Sequence, residues 1–363
     1  MIRLRRATVS AVKGSRPGLL ELAVEVDGRT ERALCYPALT GPVVEGDVVL
    51  LNTTAVDLGL GTGGTHFVVA GPNERDASPG HVMKLRYTPL QAVVPTVEEQ
   101  ASPHHEAMAR ATSLDGLPVA WVPLHSMVAA AAAGARTAGA ARVAYVMTDG
   151  AALPAWLSDQ VAALRSTGII EAVVTVGQAL GGDLEAVNVF SGLLAARMVA
   201  GADAVIVADG PGKVGTATPW GASELASAMA LNAAGTLGGR PIAALRLNFS
   251  DLSYRHHGIS PHSLRVLAQV ALVPLHVAIP VLPDERRDPV WTALREARLE
   301  ERHQLVEVAG QPGVDLLRDR GIPMQTMGRT EAEEPEFFLA AGAAGVLAGR
   351  MAAGAARWRQ ERA

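Results

Sequence analysis

Residues 171–215 read EAVVTVGQALGGDLEAVNVFSGLLAARMVAGADAVIVADGPGKVG, and this stretch decides the fold. It contains two continuous apolar runs, Glu171–Val176 and Ala204–Ala208, separated by a segment long enough for a helix. Continuous rather than alternating apolarity is typical of strands that are covered on both faces, as in a parallel sheet. A strand, a helix and a second strand within about 30 residues form the unit that a right-handed crossover requires. The stretch therefore predicts a parallel sheet wrapped by helices.

The same rhythm continues through residues 117–350. Further apolar runs predict strands at Val119–Val122, Val143–Met147, Ile242–Leu247, His276–Ile279 and Leu305–Val308. Alanine-rich segments between the runs predict helices, for example at Met127–Ala141 and Gly221–Ala234. We therefore expect a doubly wound α/β core, which is a mainly parallel sheet with helices on both faces.

The segment before this core has a different pattern. Residues 1–75 carry short alternating runs, predicted as strands, at Leu20–Val26, Ala33–Tyr36, Val48–Leu51 and His66–Val69. The first two flank Asp27-Gly28, a dipeptide that favours a tight hairpin because both of its residues tolerate positive φ. These runs predict a small N-terminal all-β domain resembling a barrel or a sandwich.

Two further segments complete the predicted organisation. Residues 76–116 are expected to connect the two domains, with one or two strands within Leu85–Val94. In the same segment, Ser102-Pro103 is expected to open a short helix, because serine caps helices and proline suits the first helical position. Residues 351–363 predict a basic helical tail.

The composition argues against several classes of protein. The net charge is −4 and only 4% of residues are aromatic, so we expect no nucleic-acid binding, which needs a basic stripe with stacking aromatics. The longest uncharged windows, Gly116–Ala135 and Val266–Pro283, are interrupted by prolines, so no membrane span is expected. The N-terminus shows no apolar signal region, and the single cysteine, Cys35, fits a reducing compartment. We expect a soluble cytoplasmic protein, and its alanine-rich helices leave a homo-oligomer possible.

Four predicted loops are more polar than simple connections need to be, and all four follow strands. They span residues 148–150, 177–188, 209–223 and 248–263, whereas the connections at the opposite end, such as Gly168, are short. In an open parallel sheet, ligands bind outside the carboxyl ends of the strands. The asymmetry therefore predicts a binding or active site at that edge, although ordinary variation in loop length remains an alternative.

Loop 209–223 is the main candidate for binding an anion. Its glycines expose backbone N–H groups beside a lysine and two threonines, in the set Gly210, Gly212, Lys213, Gly215, Thr216 and Thr218. The loop fits neither a dinucleotide-binding motif nor a Walker motif, since Thr218-Pro219 is predicted to open the helix too late and Val214 follows the lysine. Lys213, together with Arg255 of the fourth loop, is expected to supply positive charge.

The second loop offers candidate carboxylates and further backbone amides. Asp183 is expected to cap a helix with Glu185 in its first turn, so that Glu185 and Asn188 share a helix face that can turn toward a ligand. Gly181 and Gly182 precede them and can add N–H groups to an anion site. A purely structural capping role explains the same residues equally well.

Histidines and aspartates suggest acid–base or metal chemistry. His257 and His262 lie in the fourth loop, and His125 follows a predicted strand. We expect Asp183, Glu185 and Asn188, with His257 or His262, to form the catalytic set. A divalent metal is possible, and its candidate oxygen ligands are Asp149, Asp183 and Asp209. The spacing of these residues matches no standard metal motif, and the cofactor stays unidentified.

Six motifs of the chain, SPHHEA, LHSM, TDGAALP, GGDLEAVN, GPGKVGT and YRHHGISPHS, together suggest a family. In them the chain resembles bacterial proteins grouped as domain of unknown function 3866, over nearly its whole length from Gly46-Asp47 through Ser263. The resemblance implies one coherent site but no particular activity. Family members tend to have two histidines where this chain has Pro261-His262, which implies one imidazole fewer here.

The sequence therefore supports three hypotheses about function. The first is an enzyme, a hydrolase or transferase using a metal or acid–base catalysis, that acts on a small anionic substrate; phosphorylated and nucleotide-like molecules are candidates. The second is a non-catalytic ligand sensor or scaffold. The third is an enzyme that binds a nucleotide cofactor through the glycine-rich loop.

Overall fold

A computed structural model describes residues 2–61, 63–73, 79–250 and 257–360. The chain forms two compact units, Met1–Pro95 and Thr96–Ala363, and each is described by itself. The division between them falls inside the connecting segment 76–116.

Unit 1 contains a closed barrel of five strands in the order β1-β2-β3-β5-β4, beside a separate hairpin of β6 and β7. Asp27 and Gly28 both have positive φ, at 51° and 76°, and make the tight turn between β2 and β3 that the sequence predicts. The elements are β1 Leu4–Arg16, β2 Leu19–Val26, β3 Arg29–Cys35, α1 Pro37–Thr40, β4 Val48–Asn52, α2 Thr54–Asp57, β5 Thr65–Ala70, β6 Val82–Lys84 and β7 Ala92–Val94. The predicted N-terminal β domain is confirmed as a barrel.

Unit 2 is the α/β core. Its elements are α3 His105–Arg110, β8 Pro118–Trp121, α4 Val128–Thr137, β9 Val143–Thr148, α5 Asp159–Ser166, β10 Ala172–Val176, β11 Leu184–Ala186, α6 Val189–Met198, β12 Ala204–Asp209, α7 Glu224–Ser227, α8 Met229–Thr236, β13 Arg240–Ala244, β14 Leu247–Asn248, β15 Gly258–Ile259, α9 Pro261–Arg265, β16 His276–Pro280, α10 Asp284–Glu296, β17 Gln304–Val308, α11 Gln311–Asp319, β18 Gln325–Thr326, β19 Arg329–Thr330 and α12 Pro335–Gln360.

Eight of these strands form one parallel sheet in the order β11-β10-β9-β12-β8-β13-β16-β17. Side chains along β9 enter apolar clusters on opposite faces, with Val143, Tyr145 and Met147 in one and Ala144 and Val146 in the other. Helices α4, α11 and α12 cover the first face, and α3, α6 and most buried residues of α8 cover the second. The predicted doubly wound α/β fold with helices on both faces is confirmed.

Several predicted boundaries were wrong. The run Ile242–Leu247 is not one strand, because β13 ends at Ala244 and Leu247 pairs in the small antiparallel sheet of β14 and β15. The predicted helix Gly221–Ala234 is two helices, α7 and α8. Of the one or two strands expected within Leu85–Val94, one is present there as β7, whereas β6 ends just before Leu85, whose positive φ of 51° lies in the intervening turn.

The predicted helix starts also need correction. Thr218-Pro219 opens no helix and lies in an exposed part of the loop, while the next helix begins at Glu224. Near Ser102-Pro103 the helix begins later, at His105, and the Ser102 hydroxyl accepts a hydrogen bond from the His104 backbone. The predicted tail from residue 351 continues α12 as far as Gln360, and residues 361–363 lie outside the described residues.

Helices α4 and α12 approach each other backbone to backbone. A Cβ placed on Gly345 of α12 would overlap the carbonyl oxygen of Ala131 in α4, and one on Gly134 of α4 would overlap the carbonyl oxygen of Gly342. Only glycine permits this approach, because any larger side chain would push the two helices apart.

One helical segment, Pro335–Ala355 of α12, meets the length and composition expected of a membrane span. Within its most apolar window, 72% is buried inside the protein. Buried core helices of soluble proteins meet the same criterion, so the finding is weak evidence for a span.

Replacing Gly345 with alanine is expected to lower the free energy of unfolding by about 1–3 kcal/mol, because the added methyl group overpacks the contact between α4 and α12. Urea unfolding of the Gly345→Ala protein measures this loss. Gly354→Ala is the matched control in the same helix, where nothing lies within 4 Å of the added Cβ. The control should gain about 0.5–1 kcal/mol from the better helix propensity of alanine. Equal effects of the two changes would contradict the packing argument.

Candidate functional site

The candidate site lies where the sheet changes its direction of winding. After β8 the chain passes to α4 on one face, and after the neighbouring β12 it passes to α8 on the other. Loops that diverge in this way leave a crevice at the carboxyl ends of the two strands. A cavity of about 900 Å³ lies there, lined by the loops after β8, β9, β12 and β13 and by the turn between β18 and β19. This volume is in the range of small-molecule sites.

His125 joins three of these loops. Its Nδ1 lies 3.1 Å from the backbone oxygen of Asp209, and its Nε2 lies 2.7 Å from the Ser158 hydroxyl. The Tyr145 hydroxyl, 3.2 Å from Nδ1, donates to the same oxygen of Asp209 at 3.0 Å. Burial lowers the pKa of His125 to about 4, against a smaller opposing effect of the Asp209 bond. The imidazole is therefore neutral at neutral pH.

The Asp209 carboxylate lies at the end of β12 and lines the cavity. Its Oδ1 accepts hydrogen bonds from the Thr148 hydroxyl at 2.7 Å and from the Gly150 backbone at 3.0 Å. Burial raises the pKa of Asp209, and its hydrogen bonds act in the opposite direction. The carboxylate therefore also ties the loop after β9 to the end of β12.

Loop 209–223 folds as a small projecting turn. Gly215 and Ala222 form an antiparallel bridge, and residues 214–220 are exposed. The Thr216 and Thr218 hydroxyls lie 3.0 Å apart beneath the turn, and a Cβ on Gly221 would overlap both. Three predicted glycines of the loop line the cavity, as does one of the two threonines, namely Gly210, Gly212, Gly215 and Thr218.

Lys213 lines the cavity, but its ammonium group is occupied. It forms an ion pair with Glu224, whose side chain is fully buried. Burial and the positive charge of Arg246 lower the pKa of Lys213 to about 7, and Asp209 opposes this. His262 lies on the far side of Glu224, with Nδ1 3.8 Å from the carboxylate and Nε2 donating to the Thr218 backbone oxygen at 3.1 Å. The lysine therefore adds little free positive charge to the cavity.

Two arginines supply that charge instead. Arg246 follows β13, is partly buried and lines the cavity, and burial lowers its pKa. Among the residues that the structure describes, no carboxylate forms an ion pair with Arg246, since Glu334, whose charge opposes that shift, is paired with Arg329. Arg265 lies at the cavity wall with its guanidinium 4.9 Å from the centroid of the Trp220 ring.

The residues predicted in the second loop do not reach the cavity. The expected helix through Asp183 and Glu185 is wrong, because residues 184–186 form strand β11 and Asn188 is the N-cap of α6. Asp183 contacts Arg165 at 2.8 Å and the Val173 backbone at 2.7 Å, at the amino end of the sheet.

The remaining polar groups of this loop have structural partners. Buried Glu185 accepts hydrogen bonds from the Thr175 hydroxyl and from the Gly181 backbone, each at 2.7 Å. Gly181 packs against Trp156, and Gly182 approaches the Val173 backbone too closely for a side chain. Neither glycine lines the cavity.

The three predicted metal ligands do not form one group, although Asp149 is close enough for its charge to raise the pKa of Asp209. Asp149 accepts a hydrogen bond from the Gln178 backbone at 2.8 Å, and Asp183 lies at the opposite sheet edge from Asp209. Within the described ranges, no group of three or more His, Cys, Asp or Glu residues is placed to hold a metal ion. His257 is exposed and packs edge-on against Phe249, whereas Arg255 lies outside the described residues.

The sequence interpretation missed several residues of the cavity. Arg246 had a usable signal, since a charge interrupts the apolar run Ile242–Leu247. Ser158 and Arg265 had none beyond the patterns of ordinary helix ends and surfaces, because their importance depends on which loops meet in space. The same holds for Glu224, which does not line the cavity but pairs with Lys213.

The fold and the cavity define a doubly wound α/β protein with an N-terminal barrel and a ligand-sized cleft where the winding reverses. A family model described as Protein of unknown function (DUF3866) matches residues 32–345, most of the chain, and the chain belongs to this family. No curated protein and no solved structure matches it.

The low pKa of His125 makes stability depend on pH. The folded pKa of about 4 lies below the ordinary histidine pKa of 6.5, so between these pH values the unfolded chain binds a proton that the folded ring does not. The contribution of His125 to the unfolding free energy should therefore fall by about 3 kcal/mol as the pH drops from 6.5 to 4. Urea unfolding across this range compares the protein with His125→Gln, which should show a shallower loss. Parallel pH curves would contradict the assignment.

Proposed function

We propose that the cavity binds a small anionic molecule and is the active site of an enzyme, a hydrolase or a transferase. The observation that carries the proposal is Arg246, a partly buried guanidinium that lines the cavity without an ion-pair partner among the described residues. A buried cation without a counter-charge is unfavourable, and a bound anion would remove this penalty.

The cavity lining carries other positive side chains besides Arg246, together with the carboxyl groups of Asp159 and Asp209. Lys213 is paired with Glu224, which leaves Arg246 and Arg265 as the positive side chains of the cavity wall that are available to an anion. Arginine presents planar paired N–H donors that match carboxylate and phosphate groups. Backbone groups of Gly210 and Gly212 lie on the same lining, so a phosphorylated ligand fits the chemistry of this wall.

Two titratable groups give the same cavity a means of moving protons. The neutral imidazole of His125 and the Asp209 carboxyl both line it, and burial shifts the pKa of each, downward for His125 and upward for Asp209. Perturbed groups that share a cleft with a binding site are typical of enzymes. This combination favours catalysis over a purely sensory or structural role.

Arg246→Gln is expected to weaken the binding of inorganic phosphate about tenfold or more, because a charge-assisted hydrogen bond contributes roughly 1.5–3 kcal/mol. Thermal-shift titration with phosphate measures the change. Arg320→Gln is the matched control, an exposed arginine at the end of α11 outside the cavity lining, and it should bind phosphate as the parent does. Equal binding by the two variants, or no binding by the parent, would refute the anion site.

A further inference from the structure

A continuous hydrogen-bond chain crosses the floor of the cavity. It runs from the Ser158 hydroxyl to His125 Nε2 at 2.7 Å, and from His125 Nδ1 to the Asp209 backbone oxygen at 3.1 Å. Ser158 follows β9 and His125 follows β8, while Asp209 is the last residue of β12, which lies between those two strands. Ser158 and His125 both line the cavity, so the chain opens toward a bound ligand.

The direction of each hydrogen bond follows from the groups involved. A backbone oxygen can only accept, so His125 Nδ1 carries the proton toward Asp209, and Nε2 of the neutral ring is an acceptor. Because Nε2 carries no proton, the 2.7 Å contact is a donation from the Ser158 hydroxyl, whose oxygen also accepts a hydrogen bond from the Val161 backbone at 3.1 Å. The Ser158 hydroxyl therefore lies next to a base, the His125 imidazole. The hydrogen bond from His125 Nδ1 to the Asp209 backbone oxygen fixes the tautomer and orientation of that ring.

Two features beside Ser158 bear on ligand binding, although the Asp159 carboxylate also lines the cavity there. Ser158 is the N-cap of α5, and N–H groups in the first turn of a helix have no acceptor within the helix. Gln160, two residues further on, also lines the cavity, and its buried Oε1 has no hydrogen-bond partner within the described part of the chain. A polar atom left in this state is typical of a site that a ligand or a water molecule completes.

We propose that Ser158 is the nucleophile of an acyl-transfer reaction, with His125 as its general base, on an ester or thioester that carries an anionic group. This proposal deepens the proposed function, since Arg246 and Arg265 hold the anionic group in the same cavity. Nucleophile, base and orienting group then occupy the same relative roles as in known serine hydrolases, with a backbone oxygen behind the imidazole in place of a carboxylate.

The reaction balances without any further reactant except water. Ser158 Oγ forms a bond to the acyl carbon while its proton passes to His125 Nε2. The bond from the acyl carbon to the leaving oxygen or sulfur then breaks, and the leaving group takes the proton from His125. Water next attacks the acyl-serine and gives one proton through His125 to Ser158 Oγ; the product is a carboxylic acid, which loses its remaining proton to solvent. The negative charge of the bound substrate favours the protonated imidazole in each transition state.

An alkyl fluorophosphonate tests the proposal on the full-length protein, because it reacts with activated serines by loss of fluoride and adds a mass that peptide mapping locates. We expect one adduct, on Ser158. Ser158→Asn should abolish it while keeping a side chain that caps α5. His125→Gln should slow labelling by about 100-fold or more, the usual contribution of a general base. Ser166→Ala, at the exposed end of the same helix, should label normally.

Thermal melting and phosphate binding of the same samples separate the possible outcomes. Absence of an adduct on Ser158, or an equal labelling rate in folded His125→Gln, overturns the nucleophile. If the nucleophile is overturned but phosphate still binds through Arg246, the proposed anion site stands without a nucleophilic Ser158. If Ser158 is labelled but phosphate does not bind, the nucleophile stands and the proposed anion site fails.

Discussion

The position of β12 between β9 and β8 is the constraint on which the cavity depends. Parallel strands whose following helices lie on the same face have loops that meet and close over the sheet edge. Here α4 follows β8 on one face and α8 follows β12 on the other, so the two loops must separate. The separation brings the ends of three adjacent strands to one crevice, where His125, after β8, is hydrogen-bonded to Asp209 at the end of β12 and to Ser158 in the loop after β9. With a different strand order, the same side chains would lie at separate places along the sheet and would not share one cavity.

The regular strands and helices of the fold were predictable because buried segments show a characteristic pattern of apolar residues in the sequence. Strands covered on both faces must be apolar throughout, and the run Val143–Met147 lies within β9, Val143–Thr148. Short elements contain too few residues to show such a pattern. Strand β11 has three residues and includes the buried Glu185, whose carboxylate is satisfied by Thr175 and Gly181, so its pattern resembled a polar helix start. Pairing with a neighbouring strand, and not local preference, makes it a strand.

The edge of the sheet that holds the cavity was also predictable, since Asp209, Lys213 and His262 all line it. The partners of these side chains were not. Nothing local shows that the Lys213 ammonium turns to a fully buried Glu224, which neutralises it and leaves Arg246 as the available cation. Likewise Ser158 resembles any helix cap until the loop after β8 places an imidazole beside it. Contacts between distant loops depend on tertiary structure, which a single sequence encodes only indirectly.

The glycine-rich contact between α4 and α12 has a mechanical consequence. Where backbone meets backbone, as at Gly345 and Ala131, no long side chains remain to change rotamer, so the pair can adjust only by moving as a whole. Helix α12 also packs against the short 3-10 helix that carries His125, which gives the imidazole a stiff support. Adjustment of the cavity to ligands of different shape is then left to the loop after β12, where residues 214–220 are exposed.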